Sequence, residues 1–590
     1  MKQFFKYVLA TVVGLLVFGI IVAIFGTMSI VGMVASGEAT KNVDKNSVMV
    51  VDMNSIVDEQ AQPDLMSKIA GGGVSTIGLD ELLEAIKKAK ANDNIKGIYL
   101  EGGSISVGLA SAQEIRAALE DFRESGKWIV SYADVYSQGS YYLASVADKV
   151  IVNPKGMVDI HGIGSQPMFV KDLMKKFGIK MQVIKVGQYK SATEMFTEDK
   201  MSIANRQQVE AYIKGVWDNI VESISKSRDI TPEALNLLAD SVTAMMPTEA
   251  LLSAKLVDTL AYADGVKGVI KQLLDIDEKK AINQVSLEEM RNVKGPRKDG
   301  EEIAVYYAYG DIVQEPATGI NTGGHQIAAA TVCKDIEKLA ADDNVKAVVI
   351  RVNSGGGDAY ASEQLWHAIT ELKAKKPVVV SMGDYAASGG YYMSCPASWI
   401  VAQPNTLTGS IGIFGMIPDA SELVTQKLGV KFDEVKTNRH STLGGGYSRP
   451  LNNEEIGMLQ KEIGRGYELF RQRVADGRGL TIEEVENIAQ GHVWLGQDAL
   501  DIKLVDQLGG LDDAVAKAAE LAELKEYYTS SYPAAPGILD QIFGAASKGT
   551  NLDEQMRAVM GDLYEPYIML KNINRRQMMQ ARMPFILNVR

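Results

Sequence analysis

Short apolar runs of strand length alternate along this chain with longer stretches whose apolar positions recur at helical spacing. Ser47-Val48-Met49-Val50-Val51-Asp52 is one such run, Leu79 to Ala89 is an amphipathic stretch, and Gly97-Ile98-Tyr99-Leu100 is the next run. Strands separated by helices return in the same direction, so the rhythm predicts an α/β fold built on a mostly parallel sheet. Ile303-Ala304-Val305-Tyr306-Tyr307 and Ala347-Val348-Val349-Ile350 repeat the pattern further on. Between the two series the charged stretch Asp275 to Glu302, with Gly295-Pro296-Arg297-Lys298-Asp299-Gly300 inside it, reads as a connector. Beyond about Leu524 the pattern is less regular, and Met569, Met578, Met579 and Met583 read as packing residues.

The two series are copies of each other. Asp93-Asn94-Ile95-Lys96-Gly97-Ile98 overlays Asp343-Asn344-Val345-Lys346-Ala347-Val348 at an offset of about 250 residues. Tyr141-Tyr142 then falls on Tyr391-Tyr392, and Leu256-Val257-Asp258 on Leu504-Val505-Asp506 after a short slip. Solenoid units run only about 20–50 residues, so this period means duplication of a whole domain. The expected division is a first repeat over 47–275, a linker over 276–302, a second repeat over 303–524 and a C-terminal extension over 525–590.

A different pattern opens the chain. The 28 residues from Tyr7 to Val34 carry no charge and follow the basic segment 1–6. About 20 apolar residues span a bilayer, whereas cleavable signals have apolar cores of about 7–15, so a retained transmembrane anchor over 7–34 is expected. Lys2 and Lys6 would hold segment 1–6 in the cytoplasm and place the repeats outside. Cleavage near Ala35-Ser36 is the alternative.

Composition narrows the partners. The 590 residues are 46% hydrophobic and 23% charged, which suits two domains of ordinary size, and the net charge of −13 argues against nucleic acid. Cys333 and Cys395 are the two cysteines and show no metal-ligand spacing such as C-x-x-C, so no metal and no cofactor is expected. A disulfide between them and two buried free thiols are both compatible with the sequence.

Candidate chemistry concentrates in the second repeat. In Asp384-Tyr385-Ala386-Ala387-Ser388-Gly389-Gly390-Tyr391-Tyr392 a small hydroxyl stands between a turn and a predicted helix start. A serine there can act as nucleophile if a base activates it, and the Gly389 amide can meet the oxyanion that forms. Upstream, the run ending at Ile350 leads into Arg351-Val352-Asn353-Ser354-Gly355-Gly356-Gly357-Asp358. Glycine lets the main chain approach a carbonyl closely, which makes Gly356 and Gly357 candidate further donors. No Lys-Ser or Lys-Thr pair follows, as a phosphate-binding loop would require.

Strand, N-S-x-G-G loop, helix, strand, D-Y-A-A-S-G-G-Y-Y and then Thr408-Gly409-Ser410-Ile411 resemble the signal peptide peptidase A family in its long tandem form. The resemblance covers most of the chain. It departs at Gly355, where that family and the related Clp protease subunits usually carry proline; the change loosens the loop without removing an amide. The resemblance implies two tandem crotonase-like domains and a homotetramer. It also implies a membrane-anchored serine endopeptidase that degrades cleaved signal peptides and other extended peptides. The location implied is the outer, periplasmic side of the bacterial inner membrane. The alternatives are an idle membrane-anchored scaffold and an acyl-transfer enzyme of the crotonase type.

Comparison of the repeats supplies the base. Ser388 falls on Gln138, which cannot attack a carbonyl, so the first copy lacks the serine. Lys190, in Gly187-Gln188-Tyr189-Lys190-Ser191-Ala192, falls on Ser441, so the second copy lacks the lysine. Each repeat keeps what the other has lost, and together with the family's Y-K-S-A segment this points to a Ser388–Lys190 dyad. Whether it closes within one chain or between neighbours is open at this point. A free lysine is charged at neutral pH, with a pKa of about 10.4, so burial must lower that value. Ser410 is a candidate for orienting the lysine, or a turn residue. Asp384 reads as fixing its own loop. None of His161, His325, His367, His440 and His492 stands where a Ser-His-Asp protease would place its base. Met382, Tyr391, Ile411, Ile413 and Phe414 suit either a pocket lining or core.

Overall fold

The structure, a computed structural model, describes residues 41–60, 76–295, 299–316, 325–442, 446–533 and 579–583, together with Lys6, Tyr7, Gly14 and Phe18. Apart from Tyr7, Gly14 and Phe18, the run read as a transmembrane anchor lies outside these residues. Among the described residues no helix is long and apolar enough to cross a membrane.

Each repeat is built on its own sheet. In the first, the strands run in the order Thr259–Leu260, Lys149–Val158, Trp128–Tyr136, Ile95–Glu101, Ser47–Asp52, Asn283–Ser286, all parallel. In the second, the order is Val493–Leu495, Leu407–Gly409, Val378–Ala387, Val345–Ser354, Glu301–Tyr309, Tyr527–Tyr532, parallel except for Val493–Leu495. Alternate residues of one strand feed opposite cores. Met49, Ile98 and Leu100 lie in one cluster, while Val48 and Tyr99 lie in another with Val266 and Ile270. Covering both faces is what makes these strands read as continuous apolar runs. The duplication extends to the helices: Ile203–Arg228 and Asn453–Arg478, both of 26 residues, occupy matching places in the two repeats.

The last strand of each sheet falls outside the boundaries expected from sequence. Asn283–Ser286, within the stretch read as a connector, pairs with Ser47 to Val50. Tyr527–Tyr532, read as the start of an extension, pairs with Glu301 to Tyr306. Both are sheet edges with side chains largely in solvent, so they lack the apolar signature that marks the inner strands.

A third sheet joins the repeats, in the order Gln326–Ala328, Asp311–Val313, Gly356–Asp358, Met579–Arg582, Phe414–Asp419, Lys180–Lys185. Its last strand comes from the first repeat and pairs antiparallel along the whole length of Phe414–Asp419. Buried charge strengthens the junction. Arg351 of the second repeat reaches Glu59 at 2.9 Å and Glu114 at 2.8 Å, both of the first. Asp384 accepts hydrogen bonds from the Ala110 and Ser111 amides at 2.8 and 3.0 Å and from Ser111 Oγ at 2.8 Å. Asp384 therefore ties the repeats together rather than only fixing its own loop.

Candidate active site

The strand Val378–Ala387 ends in Ser388, and the helix Gly389–Ser394 begins at once. Turning a strand into a helix without a linker forces Ser388 to φ 55°, ψ −111°, a region that non-glycine residues rarely occupy. The turn is held at both ends: the Ser388 amide donates to the Gly409 carbonyl at 2.8 Å, and the Ser388 carbonyl accepts from the Tyr392 amide at 2.8 Å. Gly389 opens the helix, so its amide is among those at a helix start with no intrahelical partner.

Lys190 arrives from the other repeat. It follows the strand Lys180–Lys185, which the third sheet lays against Phe414–Asp419, and a turn at Gly187 aims the chain back toward the second repeat. Gly187 has φ +103°, and a Cβ there would fall 2.4 Å from the Gln490 carbonyl oxygen, so both the turn and the close approach require glycine. The Tyr189 amide donates to that same carbonyl at 3.0 Å. Behind the loop, Gln208 Nε2 donates to the Tyr189 carbonyl at 3.1 Å and to Ser191 Oγ at 3.0 Å.

Within one chain, Lys190 Nζ lies 2.7 Å from Ser388 Oγ, 2.9 Å from Ser410 Oγ and 3.0 Å from the Ser410 carbonyl oxygen. Lys190 and Ser388 are each 0% exposed. Burial drives the Lys190 pKa well below the ordinary lysine value. The three partners suit a neutral amine: the carbonyl oxygen can only accept and the Ser410 hydroxyl can accept, which leaves the lone pair for the Ser388 proton.

The remaining predicted donors are placed as follows. Gly356, at φ +100°, lies beside Gly389: a Cβ on it would be 2.8 Å from the Gly389 amide nitrogen. Its own amide donates to Ser354 Oγ at 3.1 Å. Gly357 stands in the third sheet opposite Ile312 on one side and Ala581 on the other.

His161 pairs with Asp159 at 2.8 Å at the surface, and His325 pairs with Asp58 at 3.1 Å across the repeats. His440 lies 3.5 Å from Glu454. Neither His161 nor His440 is brought to Ser388. Met382, Tyr391, Ile411 and Ile413 belong to the second repeat's main core; Phe414 packs with Phe196 and Met416. Cys333 and Cys395 are free thiols.

Sequence reasoning missed His492. Its carbonyl accepts the Ser410 amide at 2.7 Å, and its ring packs edge-on against Tyr189 with centroids 4.4 Å apart. Burial lowers its pKa, so a neutral ring lines the wall behind the lysine loop. Gly491 beside it, at φ +80°, would place a Cβ 2.8 Å from Lys190 Cβ. A glycine-histidine pair has no local signature that would reveal this role.

A model of peptidase family S49 matches residues 121–277 and 370–525, one match in each repeat. A CoA-ligase model matches residues 259–384, a stretch that begins in one sheet, crosses the connector and ends in the other. Protease 4 of Salmonella typhi is 39% identical over 493 residues, covering 82% of this chain and 78% of its own. Protease 4 of Haemophilus influenzae is 34% identical over 78% of this chain and 76% of its own. The chloroplastic serine protease SPPA of Arabidopsis thaliana is 29% identical over 89% and 77%. Among solved structures, ClpP1 from Listeria monocytogenes matches at 18% identity with a TM-score of 0.22, covering 35% of this chain and 92% of that one.

Proposed function

On the premise that this chain belongs to peptidase family S49 and is a serine peptidase, we propose that it cleaves peptide bonds through a Ser388–Lys190 dyad. The observation that carries the reading is the 2.7 Å approach of Lys190 Nζ to Ser388 Oγ in a site closed to water. Neutral Lys190 takes the hydroxyl proton as Ser388 attacks the scissile carbonyl. The Gly389 amide meets the developing oxyanion, while the Gly356 amide beside it is engaged by Ser354 Oγ. Lys190 then returns the proton to the departing amine, and water enters by the reverse route to release the acyl group. Ser410 positions Lys190 by accepting through both its hydroxyl and its carbonyl.

The finer reading concerns location and substrate. The charge-free run 7–34 anchors the chain in the cytoplasmic membrane with both repeats on the outer side. The substrates are extended peptides, cleaved signal peptides among them, and four chains assemble into one particle. The basic segment 1–6 followed by the charge-free run 7–34 supports the anchoring and its orientation.

Ser388→Ala and Lys190→Ala should each lower kcat/KM on a quenched peptide by about three orders of magnitude or more while leaving the melting curve cooperative. Fluorophosphonate labelling should map to Ser388 and vanish in both variants. Either variant retaining more than about one part in a hundred of the activity would remove the dyad.

A further inference from the structure

Lys190 stands on a loop between the strand Lys180–Lys185 and the short helix Glu194–Thr197. A lysine stem is long and flexible, so where its nitrogen rests depends on how firmly the loop beneath it is held. The hold comes from the helix Ile203–Arg228, and the point of attachment is Gln208 in its second turn.

Glutamine is rarely sealed from water, yet Gln208 is 1% exposed. Its bonds fix which way the amide faces: the Tyr189 carbonyl can only accept, so Nε2 is turned to it, at 3.1 Å. Nε2 also reaches Ser191 Oγ at 3.0 Å and Asn205 Oδ1 at 3.2 Å. Ser191 Oγ in turn donates to Asn205 Oδ1 at 2.9 Å, and Asn205 Nδ2 donates to Glu194 at 3.0 Å. One amide thus holds the residues on both sides of Lys190.

The other end of the amide faces the second repeat. Gln208 Oε1 accepts from the Val493 amide at 3.4 Å. Val493 pairs with Gly409, the residue before Ser410, and the neighbouring His492 carbonyl accepts the Ser410 amide at 2.7 Å. Ser410 meets Lys190 Nζ through its hydroxyl and its carbonyl. A single side chain therefore joins the loop that carries the base to the strand that holds Ser410. Further along the helix, a Cβ on Gly215 would fall 2.4 Å from Leu495 Cδ1, and Asn219 Nδ2 donates to Asn405 at 2.7 Å and to Gln497 at 3.0 Å. Gln208, Gly215 and Asn219 recur at helical spacing, so one face of this helix is fixed along the second repeat.

The repeats differ at this position as they do at the dyad. Ser202 and Asn452 cap the two 26-residue helices, which places Met458 where the first repeat has Gln208. Met458 is 43% exposed. The buried amide is present in the repeat that keeps the lysine and absent from the repeat that has lost it.

We propose that Gln208 is a positioning residue for Lys190, setting the lysine loop against Ser410 so that Nζ meets Ser388 Oγ. It acts through the loop and touches no reacting atom. The proposal rests on the reading of Lys190 as the base, which Lys190→Ala tests by itself. Without the amide the loop can shift by the fraction of an ångström that separates a productive dyad from an idle one, and water can reach the amine.

The test uses the full chain with Gln208→Met, which removes the amide at nearly constant volume, and Gln208→Ala, which leaves room for water. In either variant kcat on a quenched peptide should fall about tenfold or more while KM stays within about twofold. Fluorophosphonate labelling of Ser388 should slow in proportion. The limb on which kcat/KM rises should move to higher pH, because an amine reached by water recovers part of its ordinary pKa. Lys185, which donates to the Lys190 carbonyl, Tyr189, Glu194 beyond Asn205 and His492 before Val493 are the other titratable groups of these elements, and they are the same in every chain compared. Met458→Ala, at the copied position, should change none of these readings. A glutamine that only stabilised the fold would lower the melting temperature and leave the pH limb in place. A cooperatively melting Gln208→Met or Gln208→Ala chain with kcat within about twofold of the parent and an unmoved limb would overturn the proposal and leave the dyad standing. If Lys190→Ala itself remains active, the base reading falls and takes this one with it.

Discussion

Lys190 is suited to act as a base by what surrounds its nitrogen. Its lowered pKa comes from burial, and its hydrogen-bond partners are two hydroxyls and a carbonyl. Peptide hydrolysis, followed as kcat/KM, should therefore rise with pH through an apparent pKa below the free lysine value of about 10.4. A profile flat from pH 6 to 10, with chemistry rate-limiting, would contradict this. The same shift bears on stability. Between the folded and unfolded pKa values the unfolded chain holds a proton that the folded chain has shed, so stability rises with pH across that window. At neutral pH the folded state carries this penalty. Lys190→Met should thus raise the melting temperature at pH 7, by an amount that shrinks as pH approaches 10.4. A lowered melting temperature at pH 7 would mean that the hydrogen bonds to Ser388 and Ser410 outweigh the cost of desolvation.

At the scale of elements, the strands and loops that carry the site are braced by the other repeat. Arg351 and Asn353 precede the glycine loop on Val345–Ser354, and Asn353 Nδ2 donates to Glu59 at 2.8 Å. Burial works against the Arg351 charge, and Glu114 and Glu59 outweigh it and hold the guanidinium protonated. Burial raises the Glu59 pKa while Arg351 pulls it down. Arg351→Met leaves two carboxylates buried without their partner and should destabilise the chain by about 3–5 kcal/mol, read from urea midpoints. A loss below about 1 kcal/mol would show that water or a rearrangement replaces the guanidinium. This bracing was not legible in the sequence, because Glu114 and Arg351 are 237 positions apart and Glu114 sits on an ordinary amphipathic helix. The inner strands were legible, since burial on both faces makes them continuously apolar. Asn283–Ser286, Tyr527–Tyr532 and Met579–Arg582 were not, for each is short and carries polar side chains. Ser388 and Lys190 could be found because each loss in one repeat is visible against the other.

The whole molecule shows what those losses became. Gln138, at the place of Ser388, accepts from the His161 and Gly162 amides at 3.1 Å each and donates to the Gly162 carbonyl at 3.1 Å, so it closes a loop where its counterpart presents a hydroxyl. Ser441, at the place of Lys190, lies exposed and bonds within its own turn to Asn438. One composite site per chain remains, and the third sheet closes it by pairing Lys180–Lys185 of one repeat with Phe414–Asp419 of the other. Lys190 Nζ and Ser388 Oγ meet at 2.7 Å within one chain, which supports the proposed dyad closing within a chain over its closing between neighbours. Mixing Ser388→Ala chains with Lys190→Ala chains under conditions of subunit exchange should therefore restore no activity, because no chain in the mixture holds both residues. Recovery of more than a trace, in mixed particles verified by mass, would require Lys190 of one chain to serve Ser388 of another, and so a different pairing of those two strands in the assembled particle.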